Sequence, residues 1–370
     1  MIPVNEPYIG EKEIEYVNEA IKTGWISSEG KFIKAFEERF AGYIGRKYAI
    51  AVNNGTNALI LALKAINLPE GSEVIIPSFT IISCALACIY NNLIPVFIDS
   101  EEETWNMDVS KIKEKITEKT KAIMAVHIYG HPVDMDEVFK IAKRHNLFII
   151  EDFAEAIGSE YKGKRCGGFG DISCVSFYAN KAITTGEGGM CLTDDDELAE
   201  RMRRLRNLAF IPEKRFIHYE LGFNFRITNI QAAIGLAQVE RIEDHVRRKI
   251  WIGKTYSGLL RPLEEKGAVR LPVEKDGARN SYWMYGVVLN EKMGLKAETT
   301  MKRMEERGIQ TRPFFYPLHL QPAFKKFHWY REQDLPVSRR LYEYGFYLPS
   351  GLTLSEDDIR KVAGALKESL

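Results

Sequence analysis

The chain has 370 residues, 45% hydrophobic and 28% charged; this is ordinary globular composition in a chain too long for a single hydrophobic core, so two domains are expected. Lys plus Arg (51) balances Asp plus Glu (51), giving a formal charge of zero, which argues against a nucleic acid polymer or an anionic membrane as the main partner but leaves room for a local basic patch facing a small anion. The five cysteines (Cys84, Cys88, Cys166, Cys174 and Cys191) lack framework spacing, no apolar run is long enough to span a bilayer, and the N-terminus lacks a basic-then-apolar leader, so the expectation is a cytoplasmic protein with reduced thiols, no metal site and no membrane insertion.

In chain order, Glu11 to Thr23 reads as an amphipathic helix stopped by Gly24, and Lys31 to Tyr43 as another. Tyr48 to Val52 is a buried strand that runs through Asn53-Asn54-Gly55-Thr56 into an apolar helix, Asn57 to Ile66. Strands follow at Glu73 to Pro77 and Pro95 to Asp99, with a helix from about Ile82 to Asn91 between them. Ala122 to Val126 and Leu147 to Glu151 are further strands, separated by a helix from Asp134 to His145, and Met190 to Thr193 is strand-like. Short apolar strands alternating with helices predict an α/β fold with a mostly parallel central sheet covered on both faces. From Gln231 to Ser257 the pattern predicts one long helix, straight or bent. Ser281 to Leu289, a helix from Thr299 to Arg307 with Gly308 just past its end, and a closing helix from Glu356 to Leu370 complete the chain. The change of character places a larger domain at 1–244 and a smaller C-terminal α/β domain at 245–370.

Three stretches carry chemistry. Lys181 precedes the polar, glycine-rich turn Thr184-Thr185-Gly186-Glu187-Gly188-Gly189. An amine desolvated in an α/β core loses basicity and becomes the nucleophile that Schiff-base formation requires. The apolar run Leu147 to Ile150 ends in Glu151-Asp152, and the carboxyl ends of strands in open α/β sheets are where ligands bind. Asn54-Gly55-Thr56 stands at a strand-to-helix junction, where glycine permits close backbone approach and a helix start favours phosphate. Singly, each admits a structural reading: a surface lysine beside a turn, a helix-capping aspartate, an ordinary junction. Together they supply the three anchors that pyridoxal phosphate needs: a phosphate cradle, a carboxylate for the ring nitrogen and a lysine for the aldehyde.

At these residues the chain resembles the sugar-nucleotide aminotransferase family, within the aspartate-aminotransferase-like fold (fold type I of pyridoxal-phosphate enzymes). The resemblance runs from Gly24-Trp25-Ile26-Ser27-Ser28 through Pro77-Ser78-Phe79-Thr80, His127-Ile128-Tyr129-Gly130 and Glu151-Asp152 to Lys181 with its glycine turn. It continues through Gly222-Phe223-Asn224-Phe225-Arg226 and Thr311-Arg312-Pro313-Phe314-Phe315-Tyr316-Pro317-Leu318-His319. It implies that Lys181 holds the cofactor covalently, Asp152 pairs with the ring nitrogen, Glu155 meets the ring hydroxyl, Ala154 lies under one ring face, and Gly55, Thr56 and Ser176 bind phosphate. Asn224 is implied to reach the phosphate of a neighbouring subunit, hence a homodimer with a shared active site. One departure stands out: the family places an aromatic residue where this chain has Ile81. The sugar and its diphosphate are expected at Trp25, Ser28, Tyr282, Trp283, Arg312 and His319. Ala154-Glu155-Ala156, Asn180-Lys181 and Ser281-Tyr282-Trp283 look most like the branch that aminates C4 of a GDP-linked 4-keto-6-deoxy sugar with L-glutamate as donor. A UDP- or dTDP-linked keto sugar is the alternative substrate. A cofactor-dependent sugar dehydratase, in which a histidine replaces the lysine, and a non-catalytic sensor are the rival classes.

Overall fold

The computed structural model describes residues 1–370, apart from the side chain of Pro212. The elements are, in order, α1 (Glu11–Thr23), α2 (Lys31–Ile44), β1 (Tyr48–Val52), α3 (Gly55–Ile66), β2 (Glu73–Pro77), α4 (Ser83–Ile89), β3 (Ile94–Ile98), β4 (Thr120–Val126), α5 (Met135–His145), β5 (Phe148–Asp152), β6 (Glu160–Tyr161) and β7 (Lys164–Arg165). They continue with β8 (Ile172–Ser176), β9 (Gly189–Thr193), α6 (Asp196–Arg206), α7 (Asn229–Glu240), α8 (Ile242–Glu265), β10 (Val269–Arg270), β11 (Ala278–Arg279), β12 (Tyr285–Leu289), α9 (Ala297–Glu306), β13 (Arg312–Pro313), α10 (Pro336–Tyr344), β14 (Gly345–Leu348) and α11 (Glu356–Ser369).

The strands of the central sheet are short and almost wholly buried, the pattern of a sheet covered on both faces. Its order is β1-β9-β8-β5-β4-β2-β3. The run from β8 to β3 is parallel, and β9 is antiparallel to both its neighbours. β1 therefore points the same way as β8, and Val52, Ser176, Asp152, Val126 and Pro77 all end on one edge. One face is sealed by α3, α4 and α6 with Phe79, Met124 and Trp283. The other is sealed by α2 and α7, through Phe36, Phe40 and Phe177, and by α5.

A second, antiparallel sheet, β10-β12-β14-β13, lies in the C-terminal part. It shares a core with α8, α9 and α11 around Tyr256, Tyr285 and Phe346. The first residues of the chain join this layer: Ile2 bridges Ile309, and Ser350 donates its amide to the Val4 carbonyl. No helix among the described residues is long and apolar enough to cross a membrane.

The helix predicted from Gln231 to Ser257 is two helices. The backbone leaves helical geometry at Arg241 (φ −114°, ψ 12°), where the guanidinium turns to pair with the buried Glu13 of α1 and lies over the Tyr8 ring. The break falls at the residue that makes this long-range ion pair, in a run whose local pattern is continuous.

Asp99, just past β3, ties the two layers together. It is buried and accepts from the Ser338 amide (2.8 Å), the Ser338 hydroxyl (2.6 Å) and the Val337 amide (3.1 Å), capping α10. Asp99→Ala strands these donors out of reach of water and is expected to destabilise the fold by about 3 kcal/mol, read as a lower midpoint in denaturant unfolding; Asp99→Asn, which keeps an acceptor, loses less.

Candidate active site

The carboxyl edge of the central sheet opens into a cavity of about 580 Å³. Of the residues expected at a cofactor site, Gly55, Thr56, Ile81, Asp152, Ala154, Glu155, Ser176 and Lys181 line it, and Trp283 joins them from the C-terminal part. At the expected phosphate cradle two elements approach closely. A Cβ on Gly55 would stand 2.6 Å from the Ser176 Cβ, so only glycine lets the start of α3 sit against the end of β8. Asn54 caps α3 by accepting from the Asn57 amide (2.8 Å), and the Ala58 amide is taken by the Asn54 carbonyl. The first-turn amides of Gly55 and Thr56 have no intrahelical acceptor and open toward the cavity. The Thr56 and Ser83 hydroxyls are 2.7 Å apart.

Glu151 and Asp152 point to opposite sides of β5, as successive strand residues must. Glu151 turns inward, where it accepts from the Gly167 and Phe169 amides, the Ser173 hydroxyl and His127 Nε2 (2.9 Å). The Val133 amide donates to His127 Nδ1 (2.9 Å), which leaves the ring proton on Nε2. Cys166 lies near this pair, but the Glu151 oxygens are filled by these donors and the cluster is a structural lock. Asp152 faces the cavity. Its Oδ1 accepts from the Ala154 amide (3.0 Å), and the Cys84 thiol donates to Oδ2 at 3.6 Å.

Lys181 leaves a closed turn in which Thr185 returns its amide to the Phe177 carbonyl (3.0 Å) and Gly186 takes a left-handed φ of 79°. Its amine sits 3.6 Å from the centroid of the Trp283 ring. Burial holds this amine below the usual lysine range, against the pull of Glu155 and Asp152, which favour its charged form. Burial likewise raises the Asp152 carboxyl, opposed by the Ala154 amide and Lys181. Burial pushes Glu155 up to about 7, with Lys181 pulling the other way; Glu155 accepts from the Tyr129 amide at 3.0 Å. The cavity thus holds an amine made less basic together with two carboxyls made less acidic, the kind of perturbed set that marks a functional site.

The remaining expected residues are not on this wall. Tyr282 is buried, its ring against Gly253 of α8. His319 is buried, paired through Nδ1 with the Ser78 hydroxyl (2.7 Å) and driven by burial to about 4, so it serves the packing of the 317–320 turn. Arg312 is exposed, opposite Tyr347 in the β13–β14 pairing. Trp25 and Ser28 lie on the α1–α2 connection; Trp25 is exposed beside a separate groove, and its carbonyl is held by Asn229. Asn224 is exposed and accepts from Arg226 (3.0 Å), outside this chain's own cavity. Ile81 lines the cavity and is 44% exposed, open enough to meet a ligand by apolar contact where an aromatic was expected. Sequence reasoning missed Phe315 and Tyr347, which complete the C-terminal wall. Phe315 stood within a quoted motif, but Tyr347 reaches the cavity only through sheet pairing far along the chain.

A DegT/DnrJ/EryC1/StrS aminotransferase family model matches residues 7–367. The chain belongs to this family. It is similar to GDP-perosamine synthase from Caulobacter vibrioides, 43% identical with 100% of this chain and 98% of the relative covered, and to GDP-perosamine synthase from Escherichia coli, 42% identical with 99% and 98% covered. Among solved structures, an aminotransferase from Psychrobacter cryohalolentis superposes with a TM-score of 0.93 at 30% identity, covering 98% of this chain and 97% of that one. The fold is that of the pyridoxal-phosphate aminotransferases, and the protein is a pyridoxal-phosphate-dependent sugar transaminase. The glycine cradle, whose free amides suit a phosphate, and the encased Lys181 amine fit this cofactor.

Gly55→Ala drives a methyl into Ser176 and is expected to weaken cofactor retention at least tenfold, measured by equilibrium dialysis. In the cofactor-free protein, Glu155 binds its proton more tightly when folded than a free glutamate carboxyl, which titrates at 4.5. Its contribution is fully present below the unfolded value and is lost as pH rises through about 7. Glu155→Gln should therefore flatten the fall in urea midpoint over that interval.

Proposed function

We propose that the protein transfers an amino group from L-glutamate to C4 of GDP-4-keto-6-deoxy-D-mannose, making GDP-perosamine. The observation that carries this reading is the end-to-end similarity, at 42–43% identity, to relatives named for that product, joined to a cavity that keeps a lysine rather than a histidine at position 181. Exposed Phe216, Tyr219 and Leu221 (81%, 70% and 84%) precede Asn224, and an apolar patch of this kind supports a homodimer in which Asn224 serves the partner's phosphate.

Pyridoxal phosphate, when bound, supplies the electron sink that makes the carbon beside the transferred nitrogen acidic. Gly55, Thr56 and Ser176 hold its phosphate, and Ala154 and Ile81 border the ring. Asp152, buried and oriented by the Ala154 amide, keeps a proton on the ring nitrogen. Lys181 would anchor the cofactor covalently, and the Lys181 Nζ is the base that would take the proton from the α-carbon of glutamate and deliver one to C4 of the sugar. Its lowered basicity favours the neutral amine that this task requires. Glu155 holds the ring hydroxyl. Trp283, Phe315 and Tyr347 line the C-terminal side.

Lys181→Ala is expected to abolish conversion of glutamate to 2-oxoglutarate in a coupled assay; turnover near the wild-type rate would remove Lys181 from this role. Asp152→Asn is expected to lower kcat at least a hundredfold while cofactor retention changes far less. With glutamate as donor and a panel of GDP-, UDP- and dTDP-linked 4-keto sugars, mass spectrometry should show the GDP sugar aminated with the highest kcat/KM. Preference for a UDP or dTDP sugar would overturn the nucleotide assignment.

A further inference from the structure

The wall opposite Asp152 depends on a lysine that does not touch the cavity. Lys249 of α8 is 1% exposed, and its amine donates to the Trp283 carbonyl (3.0 Å) and to the Ser350 carbonyl just past β14. Burying a lysine is costly, and its amine is driven down to about 7 by burial and by Lys181. Two backbone acceptors are what make the position tolerable. The residue held this way is the one that frames the reactive amine: the Trp283 ring covers Lys181 Nζ at 3.6 Å, and its Nε1–H donates to the Asn180 carbonyl at 2.8 Å, one residue before Lys181.

The segment leading to Trp283 is constrained from several sides. Tyr282 has a left-handed φ of 52°, uncommon for an aromatic residue and maintained only by surrounding contacts. The Asn280 side chain accepts the Tyr282 amide (2.8 Å), and the Gly130 carbonyl accepts the Ser281 amide. The Tyr282 ring lies on Gly253, where a Cβ would stand 2.3 Å from the ring. Gly253 and Lys249 are four apart on α8 and so share a face: one admits the Tyr282 ring while the other grips the next residue's carbonyl.

We propose that Lys249 is a positioning residue for Lys181, acting through Trp283 and linking the C-terminal sheet to the indole that frames the reactive amine. The proposal rests on Lys181 being the reactive amine, and it deepens that reading.

The test is a double-mutant cycle of Lys249→Gln and Trp283→Phe, with two readouts. In the cofactor-free chain, acrylamide quenching of Trp283, taken as the difference from Trp283→Phe, should rise in Lys249→Gln because the indole loses its anchor. In the loaded enzyme, Lys249→Gln should lower kcat roughly tenfold with KM for glutamate within about twofold, and should lower it by no more than about twofold in the Trp283→Phe background. Equal losses of kcat in both backgrounds, or unchanged Trp283 quenching, would overturn the proposal. If Lys249→Gln does not fold, Lys249→Met, which keeps the apolar stem, carries the same cycle and the same outcomes. Turnover by Lys181→Ala would sink the catalytic assignment while leaving the quenching result untouched, so the two failures are distinguishable.

Discussion

Lys181, Asp152 and Glu155 meet at the carboxyl edge of the central sheet in surroundings that penalise each of their charges. Burial lowers the amine's basicity and raises both carboxyls, while the opposite charges draw each group back toward ionisation. In bulk water these opposing effects would be weak, because solvent screens the pairs. Here, away from solvent, they oppose burial at all three groups. The rest of the architecture can be understood as what keeps these groups in register.

Two layers supply that support. From the central sheet, parallel strands deliver Asp152 and Ser176 to one edge, and the glycine at the start of α3 allows the helix to approach Ser176 directly. Glu151, one residue before Asp152, accepts from the 167–173 segment and His127 and fixes the strand from its far side. The C-terminal sheet delivers Tyr347, while Trp283 and Phe315 come from neighbouring segments. Asp99 joins the layers as a buried acceptor at the start of α10, and Lys249 braces the C-terminal layer behind Trp283 as a buried donor to two carbonyls. Removal of either leaves buried backbone partners unsatisfied.

What was legible in the sequence follows from how local the determining interactions are. β1 and β2 fall on their predicted residues because unbroken apolar runs bounded by turn residues have few alternatives, and α1 ends at Gly24 because its left-handed φ of 75° suits glycine. That Gly55, Asp152 and Lys181 line one cavity was readable for the same reason: each stands in a short motif at the end of a strand or beside a turn. α6 escaped notice because its charged residues dilute the apolar stripe. The break at Arg241 coincides with an ion pair to Glu13, more than two hundred positions away, which local pattern does not carry. Tyr282 and His319 sat in suggestive motifs, yet tertiary packing turned them inward, against Gly253 and Ser78. The substrate side of the cavity is built by long-range pairing, and local pattern carries little of it.

The central claim is that one amine of this chain, at position 181, is the covalent anchor of the cofactor. Reduction of the loaded enzyme with borohydride, followed by proteolysis and peptide mass mapping, measures this directly. A single pyridoxyl-modified peptide, with the label on Lys181, is expected. A label on Lys249, on any other lysine, or on none would contradict it.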